Sequence, residues 1–400
     1  MEEWKECTIG DVCNTISDTY RGNAKDVVLI NTSDVLEGKC LNHQKTPNKN
    51  LKGQFKKTFQ QGDILYSEIR PANKRYAYVN FAPKDYIAST KLMVIRHNDK
   101  ITPQYLFYIL TNDVIIRELQ MIAESRSGTF PQVTFSELAN FSISLPSISQ
   151  QKEIVAVLKS FDSKIDLNRR INDNLEQQAQ ALFKSWFVNF EPFKNGQFVD
   201  SELGKIPKGW KVEELGNITN SITEKVGKRT DIKVLSPVNT GELLLSEEYF
   251  TKQVYSKNLA KYIMVAPNDF SYNPARINIG SIGMNTFDFS GCVSPVYVVF
   301  RCEKGYHHFF NIFKTTKNFK EEVNTRAIGG VRQTLSYKDF SLIKIVYPPK
   351  EVVEQFNKIY SHIMTLIKKN ILENKRLHQT RDTLLPKLMS GELKINDINN

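Results

Sequence analysis

Two stretches of the chain carry apolar side chains at alternating spacings of four and three. From Ile154 the series runs through Leu158, Phe161, Ile165, Asn168, Asn172, Leu175, Ala179 and Leu182 to Trp186. From Phe356 it runs through Tyr360, Ile363, Ile367, Asn370, Asn374, Leu377, Arg381 and Leu384 to Leu388. A stripe held this long predicts a coiled-coil helix in each stretch. The polar interruption falls at the same place in both. An antiparallel pairing about a local two-fold would bring Asn168 and Asn172 up to Asn370 and Asn374, where buried amides fix register at some cost in stability. The alternative is that the asparagines are solvated gaps in the stripe. A helix from Ser149 to Phe187 would measure roughly 55–60 Å at about 1.5 Å per residue.

Elsewhere the pattern is short and β-branched or aromatic, as in Tyr76–Phe81, Leu92–Arg96, Tyr262–Val265 and Val296–Phe300, with Pro and Gly turns between. This predicts globular domains of α/β (α+β) character built on short strands. The two halves follow one plan. Trp4-Lys5 with Ile9-Gly10 recurs as Trp210-Lys211 with Leu215-Gly216, and Asp63 to Arg70 recurs as Asp269 to Arg276, both 206 residues on. Ser89 matches Ser294, Tyr105-Leu106 matches Phe309-Phe310, and Pro146 matches Pro348, at offsets drifting from 205 to 202. Order and drift together indicate a tandem duplication. The expected organisation is a first globular domain (1–146), a central spacer helix (147–190) and a linker rich in Pro and Gly (191–209). A second globular domain (210–347), a distal spacer helix (348–390) and a tail (391–400) follow.

Composition sharpens this picture. A 400-residue chain suits two or three domains. The net charge of +11 points to a polyanionic partner, nucleic acid before an acidic membrane. No apolar run is long enough for a transmembrane helix, and the N-terminus lacks a signal-peptide pattern. Cys7, Cys13, Cys40, Cys292 and Cys302 lack Cys-x-x-Cys spacing and read as thiols of a reducing cytoplasm. No phosphate-binding loop and no H-E-x-x-H motif occurs. His307-His308 lacks a third ligand at metal spacing and is expected to start a helix or face solvent. Asn273-Pro274-Ala275-Arg276 reads as a turn after a strand, because it lacks the aromatic that would stack on a flipped base.

The basic clusters carry more information. Lys45, Lys49, Lys52, Lys56 and Lys57 lie within an acid-free stretch, and Lys74 and Arg75 stand beside Tyr76. Lys228 and Arg229 form a second-half counterpart. Such residues suit phosphates, which give affinity and salt dependence. Reading bases needs Arg, Lys, Asn or Gln at groove edges. By type and loop context the candidates are Arg70, Arg75, Arg126 and Gln132 in the first domain, and Arg276, Arg326, Arg332 and Gln333 in the second. A solvated charge or an internal salt bridge is the competing reading for each. Phe183, Trp186 and Phe187 exceed what one stripe buries, so they either close a domain core or form a partner-docking patch.

Three segments resemble a known family: Pro146–Ile154, Leu167–Asn172 and Ala181–Phe187 look like the central conserved region of type I restriction–modification specificity subunits. Gly329–Ser336 resembles the segment closing a target-recognition domain, and Leu384–Leu393 the distal conserved region. The first half closes instead with Gly128–Thr134 and lacks the Arg332-Gln333 pair, so no contact is carried from Arg332 to that half. The resemblance implies two target-recognition domains joined by two long antiparallel coiled-coil helices. Each domain would read one half of a split, asymmetric site in double-stranded DNA, and the helices would set the gap. Two methyltransferase subunits using S-adenosylmethionine, and restriction subunits using ATP, would be the partners, with no cofactor and no catalysis in this chain. The competing expectation is a non-catalytic coiled-coil scaffold that binds DNA nonspecifically.

Overall fold

The long stripes fold as long helices, Ile148–Phe187 and Lys350–Met389, each of 40 residues. Every position of both stripes is buried or half-buried, including the four asparagines. In this computed structural model residues 4–49, 53–125, 131–250, 254–327 and 334–395 are described. The fold is mixed α/β and divides into two units. One comprises residues 1–169 and 370–400, the other residues 170–369, so each long helix contributes one segment to each unit.

In the first unit the opening strand Lys5–Thr8 pairs antiparallel with Ser142–Leu145. The main antiparallel sheet has the order Cys13–Ile16, Leu92–His97, Ile64–Ser67, Tyr76–Tyr78. Its two inner strands, Leu92–His97 and Ile64–Ser67, read as largely apolar runs because both faces are covered there. Ile64, Tyr66, Met93 and Ile95 face a cluster containing Tyr105, Leu106 and Leu119 of the helices Pro103–Leu110 and Asp113–Ser125. Leu65, Leu92 and Val94 face the opposite way, into a second cluster with Val28, Ile30 and Ala88. These last belong to a smaller sheet in which Tyr86–Ser89 runs parallel to Asp26–Ile30. The first cluster also takes Ile154 and Leu158 of the central helix and Leu385 and Leu388 of the distal helix. Arg381 reaches Asp162 at 2.6 Å, and Asn168 Nδ2 donates to Asn374 Oδ1 at 2.9 Å and to Glu373 at 2.8 Å. Partner numbers fall along the distal helix as they rise along the central one, so these segments run antiparallel.

The second unit repeats the plan. Lys211–Glu214 pairs with Lys344–Tyr347, and the main sheet has the order Thr219–Ile222, Val298–Cys302, Phe270–Tyr272, Ile282–Met284. Phe270, Tyr272 and Phe300 pack with Phe309, Phe310 and Phe340. Leu235–Pro237 with Leu243–Leu245, and Ile263–Val265 with Gly291–Val293, replace the smaller sheet. The recurring Trp-Lys-x-x-x-aliphatic-Gly motif has a physical reason. Ile9 and Leu215 are fully buried, and a Cβ on Gly10 or Gly216 would lie only 3.1 Å from Ala139 or 3.0 Å from Ser341. His307 does open a helix, His307–Phe313.

The 191–209 linker contains a hairpin, Phe198–Ser201 with Gly204–Pro207, and its Phe193 packs edge-on against Trp210. One expectation needs correction. Phe183 and Phe187 do not form a partner patch. They are 3% and 7% exposed within the second unit's core, against Phe309 and Phe356. The helix end is a wall of that domain, and only Trp186 stays half-buried.

Each main sheet carries the same ion pair on a buried carboxylate. Arg96 forks onto Asp63 at 2.8 and 2.7 Å, and Arg301 onto Asp269 at 2.6 and 2.9 Å. Both carboxylates are 1% exposed, and each also accepts a backbone N–H, from Gln60 and Ala266 respectively. Removing the arginine strands a buried charge, whereas neutralising the carboxylate removes that charge and keeps an acceptor. Arg96→Leu is therefore expected to cost about 2–3 kcal/mol and Asp63→Asn about 1 kcal/mol, in an order that thermal or urea melts will check.

Candidate nucleic-acid interface

The duplicated sheets present duplicated loops. In the first unit the loop after Ile64–Ser67 runs through Glu68 and Arg70 to Arg75 before the strand Tyr76–Tyr78. In the second the equivalent loop, Asn273 to Ser281, carries Arg276. The chain closing each globular domain is hydrogen-bonded to this loop at matched positions. Val133 N–H donates to the Glu68 carbonyl at 2.8 Å, and Leu335 N–H to the Pro274 carbonyl at 3.0 Å. A bridge between Ile69 and Gln132, with Arg70 N–H donating to Pro131, tightens the first pair. Arg70 and Gln132, distant in sequence, are thereby brought together.

A third segment joins each pair. Glu68 N–H donates to the Lys91 carbonyl at 3.1 Å. In the second unit Val298 sits opposite Tyr272, which sets the turn Ser294–Tyr297 beside the start of the Arg276 loop. Asn273-Pro274-Ala275-Arg276 is a turn after a strand, as expected, with Ala275 N–H donating to the Asn273 side chain.

The first loop is conformationally unusual. Arg70 and Lys74 have φ of 48° and 51°, the left-handed region that costs a non-glycine residue roughly 1–2 kcal/mol. Hydrogen bonds impose it: Lys74 N–H donates to the Pro71 carbonyl, and Ala72 N–H to Gln120 Oε1. Strain of this kind concentrates where a chain presents side chains to a ligand.

The candidates fall into distinct environments. Arg70, Arg276, Lys45, Lys49, Lys56 and Lys228 are exposed, and Gln132 is half-buried. Two others serve the fold. Arg75 donates to the carbonyls of Ser33 and Val35, and the Lys57 ammonium to the Leu92 carbonyl. Burial, with neighbouring Lys91 adding to it against Glu68, holds the Lys57 pKa below its ordinary value. Lys74 pairs with Asp113, Arg229 with Glu224 and Arg326 with Glu322. Surface pairs of this kind are weak and exchange readily for a phosphate. Lys52, Arg126, Arg332 and Gln333 lie outside the described residues. Lys91, exposed and beside the Arg70 loop, escaped the sequence reading; its signal was the Ser89–Ser294 match, extended by two residues.

All five cysteines are free. Among the described residues no group of three His, Cys, Asp or Glu is placed to hold a metal, and no helix is long and apolar enough to cross a membrane.

Comparison with known proteins places the chain in a family. Residues 1–177 match the family described as type I restriction modification DNA specificity domain. The chain is 32% identical to the type I restriction enzyme HindI specificity subunit of Haemophilus influenzae, over 98% of this chain and 100% of that one. It is 28% identical to the MjaIX specificity subunit of Methanocaldococcus jannaschii, over 85% and 79%. In fold it is similar to a chain solved in a type I restriction–modification system, with a TM-score of 0.51 at 18% identity over 98% and 99%. A second similar fold is the type I system S subunit from M. genitalium, at 0.50 and 15% over 96% of each. The chain belongs to the family of type I restriction–modification specificity subunits.

Substitutions separate the two kinds of contact. Arg276→Ala is expected to weaken binding to the specific site by about tenfold, within the 1–3 kcal/mol of a base-reading arginine, and to relax one position of one half-site. Lys49→Ala is expected to weaken binding to all sequences alike and to lower the salt slope by about one. Titrations of specific and scrambled duplexes at several salt concentrations check both.

Proposed function

We propose that this specificity subunit reads a bipartite, asymmetric site in double-stranded DNA, one half-site with each loop cluster. The observation carrying this is the matched pair of loops, tied by the same hydrogen bond in both units and bearing Arg70 and Arg276 at equivalent positions. Their surroundings differ, so the two halves of the site differ. Phosphate contacts from Lys45, Lys49, Lys56 and Lys228 supply affinity.

The paired helices act as the spacer. Forty residues at about 1.5 Å each give roughly 60 Å, ample to hold two readers about one 34–36 Å turn of duplex apart. The buried Asn168 fixes the register of the pair, because a shift would take Asn374 and Glu373, the acceptors of its Nδ2, out of reach. Two methyltransferase subunits carrying S-adenosylmethionine dock on the chain, and restriction subunits using ATP join them. The chain itself contributes recognition without catalysis, in the cytoplasm.

N6-methyladenine mapping in cells with and without this chain, beside its methyltransferase, tests the reading. A split motif with a fixed gap that vanishes on deletion is expected; unchanged methylation despite an active methyltransferase would overturn it. Ile165→Asp buries an acid in the helix pair at a 2% exposed position and is expected to abolish methylation of that motif. Retained site choice in that variant would refute the spacer.

A further inference from the structure

The two loop clusters differ at a structurally matched position. Val94 faces Ile16 and Val299 faces Ile222, while Arg96 and Arg301 hold the equivalent carboxylates. Carried three residues back, this register matches Lys91 with Val296. Lys91 is exposed; Val296 is 69% exposed in the turn closed by Tyr297 N–H on the Ser294 carbonyl. An aliphatic side chain this open contributes little to the fold. A second one stands nearby in the chain: Ile279, 57% exposed, three residues past Arg276 in the hairpin loop.

The register gathers these groups. Tyr272 pairs with Val298 on one side and Ile282 on the other, so the turn Ser294–Tyr297 and the loop Asn273–Ser281 share one end of the sheet. Burial raises the Tyr297 phenol pKa, and the Arg276 guanidinium is close enough to pull against it. Exposed aliphatics thus flank the arginine assigned to base reading. On base edges in the major groove the apolar group is the 5-methyl of thymine.

Resting on the DNA-reading role above, we propose that Val296, with Ile279, is a specificity determinant of the second half-site and receives a thymine 5-methyl group beside the base contacted by Arg276. In the first half-site Lys91 gives Arg70 a cationic neighbour instead, so the two clusters select different bases from one frame.

The test uses the assembled methyltransferase complex and duplexes of its mapped motif. Each thymine is replaced in turn by deoxyuridine, which lacks only the methyl. One half-site is expected to hold a position where uracil weakens binding about fourfold, the worth of one buried methyl-sized group. That difference should vanish in Val296→Ser, with an unchanged melting temperature. Equal binding of uracil and thymine at every position, with scrambled duplex still rejected, overturns the inference and leaves the DNA-reading role standing. Loss of methylation in Val296→Ser with no change in duplex binding places a protein partner on this turn and also overturns it. Failure to distinguish motif from scrambled duplex overturns both readings.

Discussion

Neither globular domain has a complete hydrophobic core of its own, and the rest of the structure follows from that constraint. In the first unit Ile154 and Leu158 close one side of the cluster around Tyr105 and Leu106, and Leu385 and Leu388 close another. In the second, Val353 and Phe356 are joined by Phe183 and Phe187 around Phe309. Each domain is thus walled by the start of the helix that follows it and by the end of the other helix. The aromatic and aliphatic positions of those helix ends answer to a domain as well as to a facing helix. Separating the helices would expose the cores, so domain stability and helix pairing are one property.

Within that frame the duplication preserves what the fold needs and releases what the ligand needs. The strand order of the main sheet, the Asp–Arg fork and the loop-closing hydrogen bond recur. A buried carboxylate at 1% exposure tolerates no drift, because its desolvation is balanced only by its arginine and backbone partners. The loop tips meet no such demand. Where the first domain has Lys91 the second has Val296, and where the first hairpin loop strains Arg70 and Lys74 to positive φ, the second holds Arg276 at φ −138°.

The long helices, the repeat and the mixed α/β character were legible in the sequence because period and repeat are written directly in the order of residues. The stripe from Ile154 to Trp186 lies along the buried side of its helix for this reason. The site was legible only in part. Arg70 and Arg276 stood out by type and equivalence, and both are exposed. Nothing local distinguishes Lys57 or Arg75 from their basic neighbours; the carbonyls that hold them come from residues 35 to 42 positions away. Lys91 and Val296 are matched by strand pairing and not by chemical likeness, so no composition rule selects them. Phe183 and Phe187 were open between two uses because the stripe says that a face is covered, not by what.

The discontinuity of the first unit bears on how the protein is made. Its N-terminal segment is synthesised before the second unit, but Leu385, Leu388 and the Trp4 ring's neighbour Gly391 only after it. The second unit, residues 170–369, has all its segments before that. The first unit is therefore completed only after the second, and until then it holds an open apolar wall that a chaperone, or a wrong helix, could occupy.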